Sequence, residues 1–425
     1  MKTAFVNARL VDPASGYDGP GSVLVIGDEI VQVAHTPTIE GHTGDTVHCG
    51  GAVLAPGLID LRVKTGEPGH EPKETLKSAA KAAAAGGVST VVLQPDTDPA
   101  LDEPAMVDFV TRRARALGLV NMLVAGAATR GLEGGRIAEL GLMQEAGAAY
   151  FTDADRVIVN TKVFRRILTY AKGFDALVAH RPMDPWLADG AVATASQLSG
   201  WNGLPAAPAV AERIMLERDL ALAESVGARL LVDQISTADA LDSLKRAKAR
   251  GVKAFASCSI NHLSFNEVDL GDYRTFFRLD PPLRPEEDRQ ALIEAVRDGL
   301  IDVIVSAHAP APAEDKRRPF SEAAPGAIGV ETLLPALMSL HHEAGLSLLE
   351  VLRPVTSAPA SLLGLKSGRL AEGAPADLVL FDPAAPVVID AAKLQSKSKN
   401  SPFDGRRLQG KVMRTVVGGR TVFGG

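Results

Sequence analysis

Imidazole and thiolate ligands are few in this chain, which has nine histidines and two cysteines in 425 residues. Asp153 and His180 end two apolar runs, AAYFTD and ALVAH. A carboxylate and a neutral imidazole are two of the three or four ligands that zinc needs. Each could therefore ligate a metal or be satisfied by neighbouring protein groups. Arg62 and Lys64 close another apolar run, in Asp60-Leu61-Arg62-Val63-Lys64. Arginine keeps its proton in proteins and offers a metal no lone pair, whereas a buried lysine can deprotonate and ligate. Their cationic heads either pair with Asp153 or turn toward solvent. Pairing is favoured, because a buried carboxylate without a counter-charge is costly. Cys258 also ends a strand-like run, but no His/Asp pattern activates it, and it reads as a buried, inert thiol. His341 and His342 lie near a helix C-terminus, where imidazole complements the dipole.

The elements that must position these residues are legible from periodicity. Eight strand-like runs follow one another: GLIDLRV, STVVLQP, NMLVAGA, AAYFTD, ALVAH, RLLVDQ, VKAFASC and DVIVSAH. Each precedes a segment of helical period such as ETLKSAAKAAAAGG or EEDRQALIEAVRDG, with helix ends marked by Gly86, Gly147, Gly227, Gly251 and Gly299. Eight βα units with near-continuous apolar strands predict an α/β fold, a parallel (β/α)8 TIM-like barrel whose chemistry sits at the C-terminal strand ends. Residues 1–54 and 366–425 carry short alternating runs punctuated by Gly, Pro and Asp. They are expected to form one small discontinuous β-sandwich domain, with 55–365 as the barrel. A net charge of −6 gives no reason to expect a nucleic-acid partner. No apolar run reaches the ~18 residues of a membrane span, and the N-terminus lacks a signal-peptide core. With only Cys49 and Cys258, a disulfide framework is excluded, and a cytoplasmic location is expected.

The ordered motifs PGLIDLRVKTGEPG, QPDTDPALDEP, RGLEGGRIAELGLMQEAGAAYFTD, LDPPLR, APGAIGVETLLPAL, ADLVLFDP and SKSKNSPFDGRRLQGKVMRTVVGGRTVF resemble dihydroorotase of the amidohydrolase superfamily, from about residue 4 to 423. That resemblance implies one or two divalent metals, zinc in active members, opening or closing a cyclic amide. Position by position, the implied machinery is largely replaced. The D-x-H-x-H pattern of the first strand retains Asp60 but has Arg62 and Lys64 at its histidines. Asp153 and His180 stand at the fourth- and fifth-strand ligand positions, Gln234 replaces the sixth-strand histidine, and Ala307 replaces the metal-binding, proton-transferring aspartate of D-H-A-P-H. On the substrate side, Gly66 stands for the arginine of R-E-P-G, Asp96 for the asparagine of N-T-N-P, and Ala311 for the last histidine of D-H-A-P-H. His308 has lost both flanking partners, and His262 has Asn261 beside it in P-H-H-L. Both read as packing or hydrogen-bonding residues.

These replacements imply a non-catalytic chain that needs no cofactor, with Asp153 and His180 as vestigial ligand positions. Inactive dihydroorotase-like chains that assemble with aspartate carbamoyltransferase are the class this sequence resembles. The expectation is therefore a structural subunit of pyrimidine biosynthesis, itself a homodimer or larger, with no nucleic-acid or membrane partner. Two other readings remain beside it: a divergent amidohydrolase acting on a cyclic amide with one metal or none, and a scaffold for some other partner.

Overall fold

The computed structural model describes residues 2–40 and 43–424. Eight parallel strands form the central sheet: β1 (Leu58–Val63), β2 (Val88–Leu93), β3 (Asn121–Gly126), β4 (Ala148–Phe151), β5 (Leu177–His180), β6 (Arg229–Val232), β7 (Ala254–Ser259) and β8 (Val303–Val305). They pair in chain order, and a bridge between Val63 and His308, with Lys64 N donating to His308 O at 2.9 Å, closes β8 onto β1. The expected barrel is observed. Its strands read as continuous apolar runs because both faces are covered, the inner by side chains such as Ile59, Val92 and Leu231 and the outer by helices.

The helices after each strand are α1 (Leu76–Ala85), α2 (Pro104–Leu117), α3 (Leu140–Glu145), α4 (Thr161–Lys172), α5 (Val210–Val226), α6 (Ala238–Ala249), α7 (Glu286–Arg297) and α8 (Leu333–Glu343). Three of them start at side-chain caps: Thr75 and Ser78 form a capping box at α1, and Asn160 and Thr237 cap α4 and α6. The alanine-rich face of α1 is small for a reason. Thr415 Oγ1 donates to Ala84 O at 2.7 Å, so a strand of the second domain lies directly on this helix.

That second domain is one eight-stranded sheet built from both chain ends. Its path runs Arg420–Gly424, Arg407–Val417, Leu378–Val388, Val53–Pro56, Lys2–Asp12, Tyr17–Ile26, Glu29–Ala34, with Asp45–His48 also paired to the strand at Lys2–Asp12. The two ends join where Leu378 pairs with Pro56 and Phe381 with Val53, antiparallel. Phe5, Leu10, Val25, Ile30, Leu54 and Leu378 form its core. Asp377 ties it to the barrel: its carbonyl accepts from Gly57 N at 2.8 Å, and its carboxylate from Asn121 Nδ2 at 2.9 Å. The small domain thus braces the N-terminal strand ends and leaves the C-terminal mouth to the loops.

Candidate functional site

The mouth holds a cavity of about 250 Å³ lined by residues from several strand ends, among them Arg62, Lys64, Asp96, Asp155, Gln234 and His308. At its centre is Arg62, whose side chain is only 3% exposed. Every N–H of its guanidinium is used. Nη1 donates to Asp233 Oδ2 at 2.6 Å and to Gln94 Oε1 at 3.2 Å, and Nη2 to Asp155 Oδ1. With the Gln234 amide oxygen turned toward it, Nε and Nη2 donate there at 2.8 and 3.1 Å. Gln94 is held in turn by Leu61 O at 3.2 Å and the Tyr150 hydroxyl at 2.8 Å, and Asp233 by Ser257 Oγ at 2.7 Å. Burial opposes the charge on Arg62, but Asp233 and Asp155 outweigh it and bind its proton more firmly than usual.

Lys64 extends the network outward, with Nζ 2.6 Å from Asp96 Oδ2 and also hydrogen-bonded to Asp155 Oδ2. Burial works against its proton too, and Asp155 and Asp96 again win. Asp155 therefore bridges both cations. Burial alone would raise its carboxyl, but Lys64 and Arg62, helped by Arg181, hold it well below the ordinary range. Arg181 completes the set, with Nη1 2.6 Å from Asp280 Oδ1 and Nη2 donating to Asp155 O at 2.8 Å. The mouth thus sets three cations (Arg62, Lys64, Arg181) against four carboxylates (Asp96, Asp155, Asp233, Asp280).

One expectation is corrected here. Neither Arg62 nor Lys64 pairs with Asp153. Its Oδ1 accepts from Ala128 N at 3.0 Å and Thr129 N at 2.9 Å, and its Oδ2 from the Thr129 hydroxyl. The carboxylate is a clamp for the loop after β3, and the compensating carboxylate for the cations lies two residues on. His180 is likewise occupied at both nitrogens: Nδ1 is 2.6 Å from Asp219 Oδ2, and Nε2 accepts from Ile158 N at 2.9 Å. His308 accepts at Nδ1 from Gly329 N (3.2 Å) and Val330 N (3.4 Å), and turns Nε2 toward Glu74 Oε2 at 3.6 Å.

The remaining residues picked out from sequence fall as follows. Gly66 has φ +98°, and a Cβ there would lie 2.4 Å from His70 O, so this loop conformation admits no side chain. Ala307 presents a methyl group to the cavity from a left-handed backbone, φ 51°, and Gln234 shares that conformation at φ 56°. Ala311 N donates to Asn400 Oδ1 at 3.1 Å. His262, pushed down to about 4 by burial and then by Arg284, is neutral and lies 3.2 Å from Pro282 O. Burial pushes the Cys258 thiol well up. Sequence reasoning missed Gln94, Asp155, Arg181 and Asp233. Each stands at or just beyond a strand end, and the need of a buried guanidinium for carboxylates was the available signal.

Residues 51–240 match the Dihydro-orotase-like family and residues 215–422 the Amidohydrolase family. A "Dihydroorotase" of Anaplasma phagocytophilum (strain HZ) is 42% identical over 99% of this chain and 95% of its own length. A "Dihydroorotase" of Syntrophus aciditrophicus (strain SB) is 35% identical over 100% and 99%. The chain belongs to the dihydroorotase family. Among solved structures, the L-hydantoinase (dihydropyrimidinase) of Arthrobacter aurescens superposes with a TM-score of 0.88 over 99% of this chain and 96% of its own. At 23% identity, that likeness speaks for the fold alone.

The zinc that the family resemblance implies does not fit these side chains. Among the described residues, no group of three His, Cys, Asp or Glu side chains converges as a metal site. Asp153 already accepts three hydrogen bonds, His180 Nε2 accepts from Ile158 N and its Nδ1 faces Asp219, and the Ala307 side chain has no ligand atom. A fixed guanidinium ~4 Å from a divalent ion would oppose it by several kcal/mol even at an effective dielectric of ~20. The arrangement can do little acid–base work either, because its carboxylates are each paired with a cation and Asp155 is held well below the ordinary range.

Proposed function

We propose that this member of the dihydroorotase family is a non-catalytic subunit of pyrimidine biosynthesis that assembles with aspartate carbamoyltransferase. The observation that carries the non-catalytic reading is the saturated guanidinium of Arg62. In the family reading a metal-activated hydroxide would attack from this mouth, where Arg62 and its ion pairs now lie, and every donor of the Arg62 guanidinium is already engaged. Loss of the proton-transferring group to Ala307 and of the substrate-gripping cation to Gly66 supports the same reading independently.

The structural role is supported by what the fold keeps. Barrel, small domain and motif-bearing loops are all fully built, so the sequence still specifies a rigid surface. The chain's two tryptophans, Trp186 and Trp201, lie in the insertion between β5 and α5 and are 72% and 80% exposed. Exposed tryptophan is uncommon on a surface with no partner and is enriched where binding energy concentrates.

Two measurements test the proposal. Purified chain, supplied with zinc, is expected to leave dihydroorotate unopened. Brisk ring opening would end the non-catalytic reading. Co-expression with the same organism's aspartate carbamoyltransferase is expected to give one complex on size-exclusion chromatography. A transferase that is stable, active and elutes unchanged without this chain would end the assembly reading.

A further inference from the structure

We infer that the face of the barrel opposite the mouth carries a binding site for a small phosphorylated anion, with a diphosphate group as its recognised moiety. The site is a cavity of about 540 Å³ at the N-terminal strand ends, where Arg229 opens β6, Phe255 lies in β7 and Asp302 precedes β8. Its opposite wall is the short helix Ser357–Leu363 and the linker that leads into the small domain.

Two arginines and three hydroxyls of its lining are uncommitted. Arg353 and Arg369 line it, and neither side chain makes a hydrogen bond or ion pair among the described residues. The hydroxyls of Ser357, Ser361 and Ser367 line it in the same unpartnered state. Ser367, 8% exposed as a residue, lines the cavity with a hydroxyl that has no protein partner. Contrast the mouth, where the guanidinium at the centre has no donor left.

The charge balance selects an anion. Arg229 is already committed: its Nη1 and Nη2 are held by Asp175 O at 2.9 Å and Leu362 O at 2.5 Å, and its charge is paired with Asp175 Oδ2 at 3.6 Å, which leaves Arg353 and Arg369 as the unpaired cations. The carboxylate in the lining, Asp302, is neutralised by Lys248 at 2.6 Å and also accepts from Ala256 N at 2.8 Å. A concentration of unpaired positive charge is the more telling in a chain whose net charge is −6. Two free guanidinium forks and three hydroxyl donors exceed what the two oxygens of a carboxylate can accept. Phosphoryl groups supply three acceptor oxygens each and match the guanidinium fork.

The wall is also rigidly built. Gly368, at φ +78°, lets the linker lie on the helix so closely that a Cβ would sit 2.6 Å from Ala360 Cβ and 2.7 Å from Thr356 O. Gly364, at φ +68°, ends that helix in the left-handed conformation that turns the chain back along the cavity. Arg353, Ser357, Ser361 and Arg369 are therefore presented by backbone with little freedom. Because chemistry in such barrels sits at the other end, this site binds and does not catalyse.

The test is calorimetric titration of the full chain with inorganic pyrophosphate, with orthophosphate, sulfate and ATP as parallel ligands. Pyrophosphate is expected to bind more tightly than orthophosphate or sulfate and to weaken as salt rises. If ATP binds more tightly still, the source is a nucleotide; if it binds equally, the diphosphate alone is recognised. The pair Arg353→Ser and Arg369→Ser is expected to weaken pyrophosphate at least about tenfold, in line with the loss of charge-assisted bonds. Ser361→Glu, at an exposed helix position, should do the same by placing a like charge in the cavity. The thermal midpoint of each variant, measured without ligand, reports whether it is folded. No pyrophosphate binding at millimolar concentration, or binding unchanged in folded variants, would overturn the inference. Neither result bears on whether the mouth is catalytic, so this site stands or falls separately from the proposed function.

Discussion

Arg62 makes the clearest prediction at the scale of a single residue. Arg62→Met keeps much of the volume but leaves Asp233 and Asp155 without their shared cation, and Gln94 and Gln234 without a donor. The loss expected in urea unfolding at neutral pH is on the order of 3 kcal/mol, that of breaking a buried pair while stranding its partner. Asp155 is still 38% open to solvent, so most of this comes from Asp233. The pH dependence has a definite sign. Asp155 is held below its unfolded value, so its contribution is full above the ordinary carboxylate range and lost as pH falls toward the folded value. The gap between wild type and variant should therefore narrow on acidification from neutral pH. Constant separation down to pH 3 would mean that these charges are not the reason for it. The sequence made Arg62 and Lys64 legible as cations needing carboxylates, but which carboxylate was not. Asp153 and Asp155 flank Ala154, whose left-handed backbone (φ 54°) separates their directions, and a turn of that kind leaves no mark at an alanine.

Among elements, the segment 395–401 does the most to hold the mouth together. Asn400 Nδ2 donates to Ala309 O and Gly326 O, each at 3.1 Å, while its Oδ1 accepts from Ala311 N at 3.1 Å. Ser396 Oγ and Lys397 N both donate to Glu74, and Ser398 Oγ to Lys73 O at 2.6 Å. Asn400→Ala strands one backbone donor and two acceptors, with an expected loss of about 2–4 kcal/mol. Hydrogen exchange should show the loss as faster exchange in 309–328, with α8 unchanged. The start of α8 is tied to this strap by Glu331, whose carboxylate accepts from Gln395 N at 2.7 Å and is pushed up to about 7, chiefly by burial. A raised carboxyl favours the fold only while protonated, so wild type loses stability as pH climbs from about 4.5 through 7. Glu331→Gln keeps the acceptor and removes the titration. It should match wild type at pH 4 and exceed it at pH 8, by roughly 2 kcal/mol. Barrel strands and helices were readable in the sequence because burial on both faces and side-chain caps leave local patterns. The strap was readable only as a family motif, since its bonds span more than 300 residues of chain to Glu74.

The whole molecule combines a sealed interior with a surface that is not. Its mouth is lined by ion pairs, its N-terminal end is braced by the small domain through Asp377, and its two tryptophans face outward on one insertion. If assembly with a transferase uses that insertion, the pair Trp186→Ala and Trp201→Ala should weaken the complex by ~2 kcal/mol or more, about thirtyfold in affinity. The thermal midpoint of the isolated chain should hardly change, because both side chains are exposed already. A complex of unchanged affinity would move the contact to another face. The central claim, that protein cations have taken the place of the family's metal, is tested most directly by dialysing the purified chain against excess zinc and measuring bound metal. Substoichiometric zinc, with no effect of chelator on the unfolding midpoint, is the predicted result. One or two ions retained per chain and lost on Asp153→Asn would contradict it.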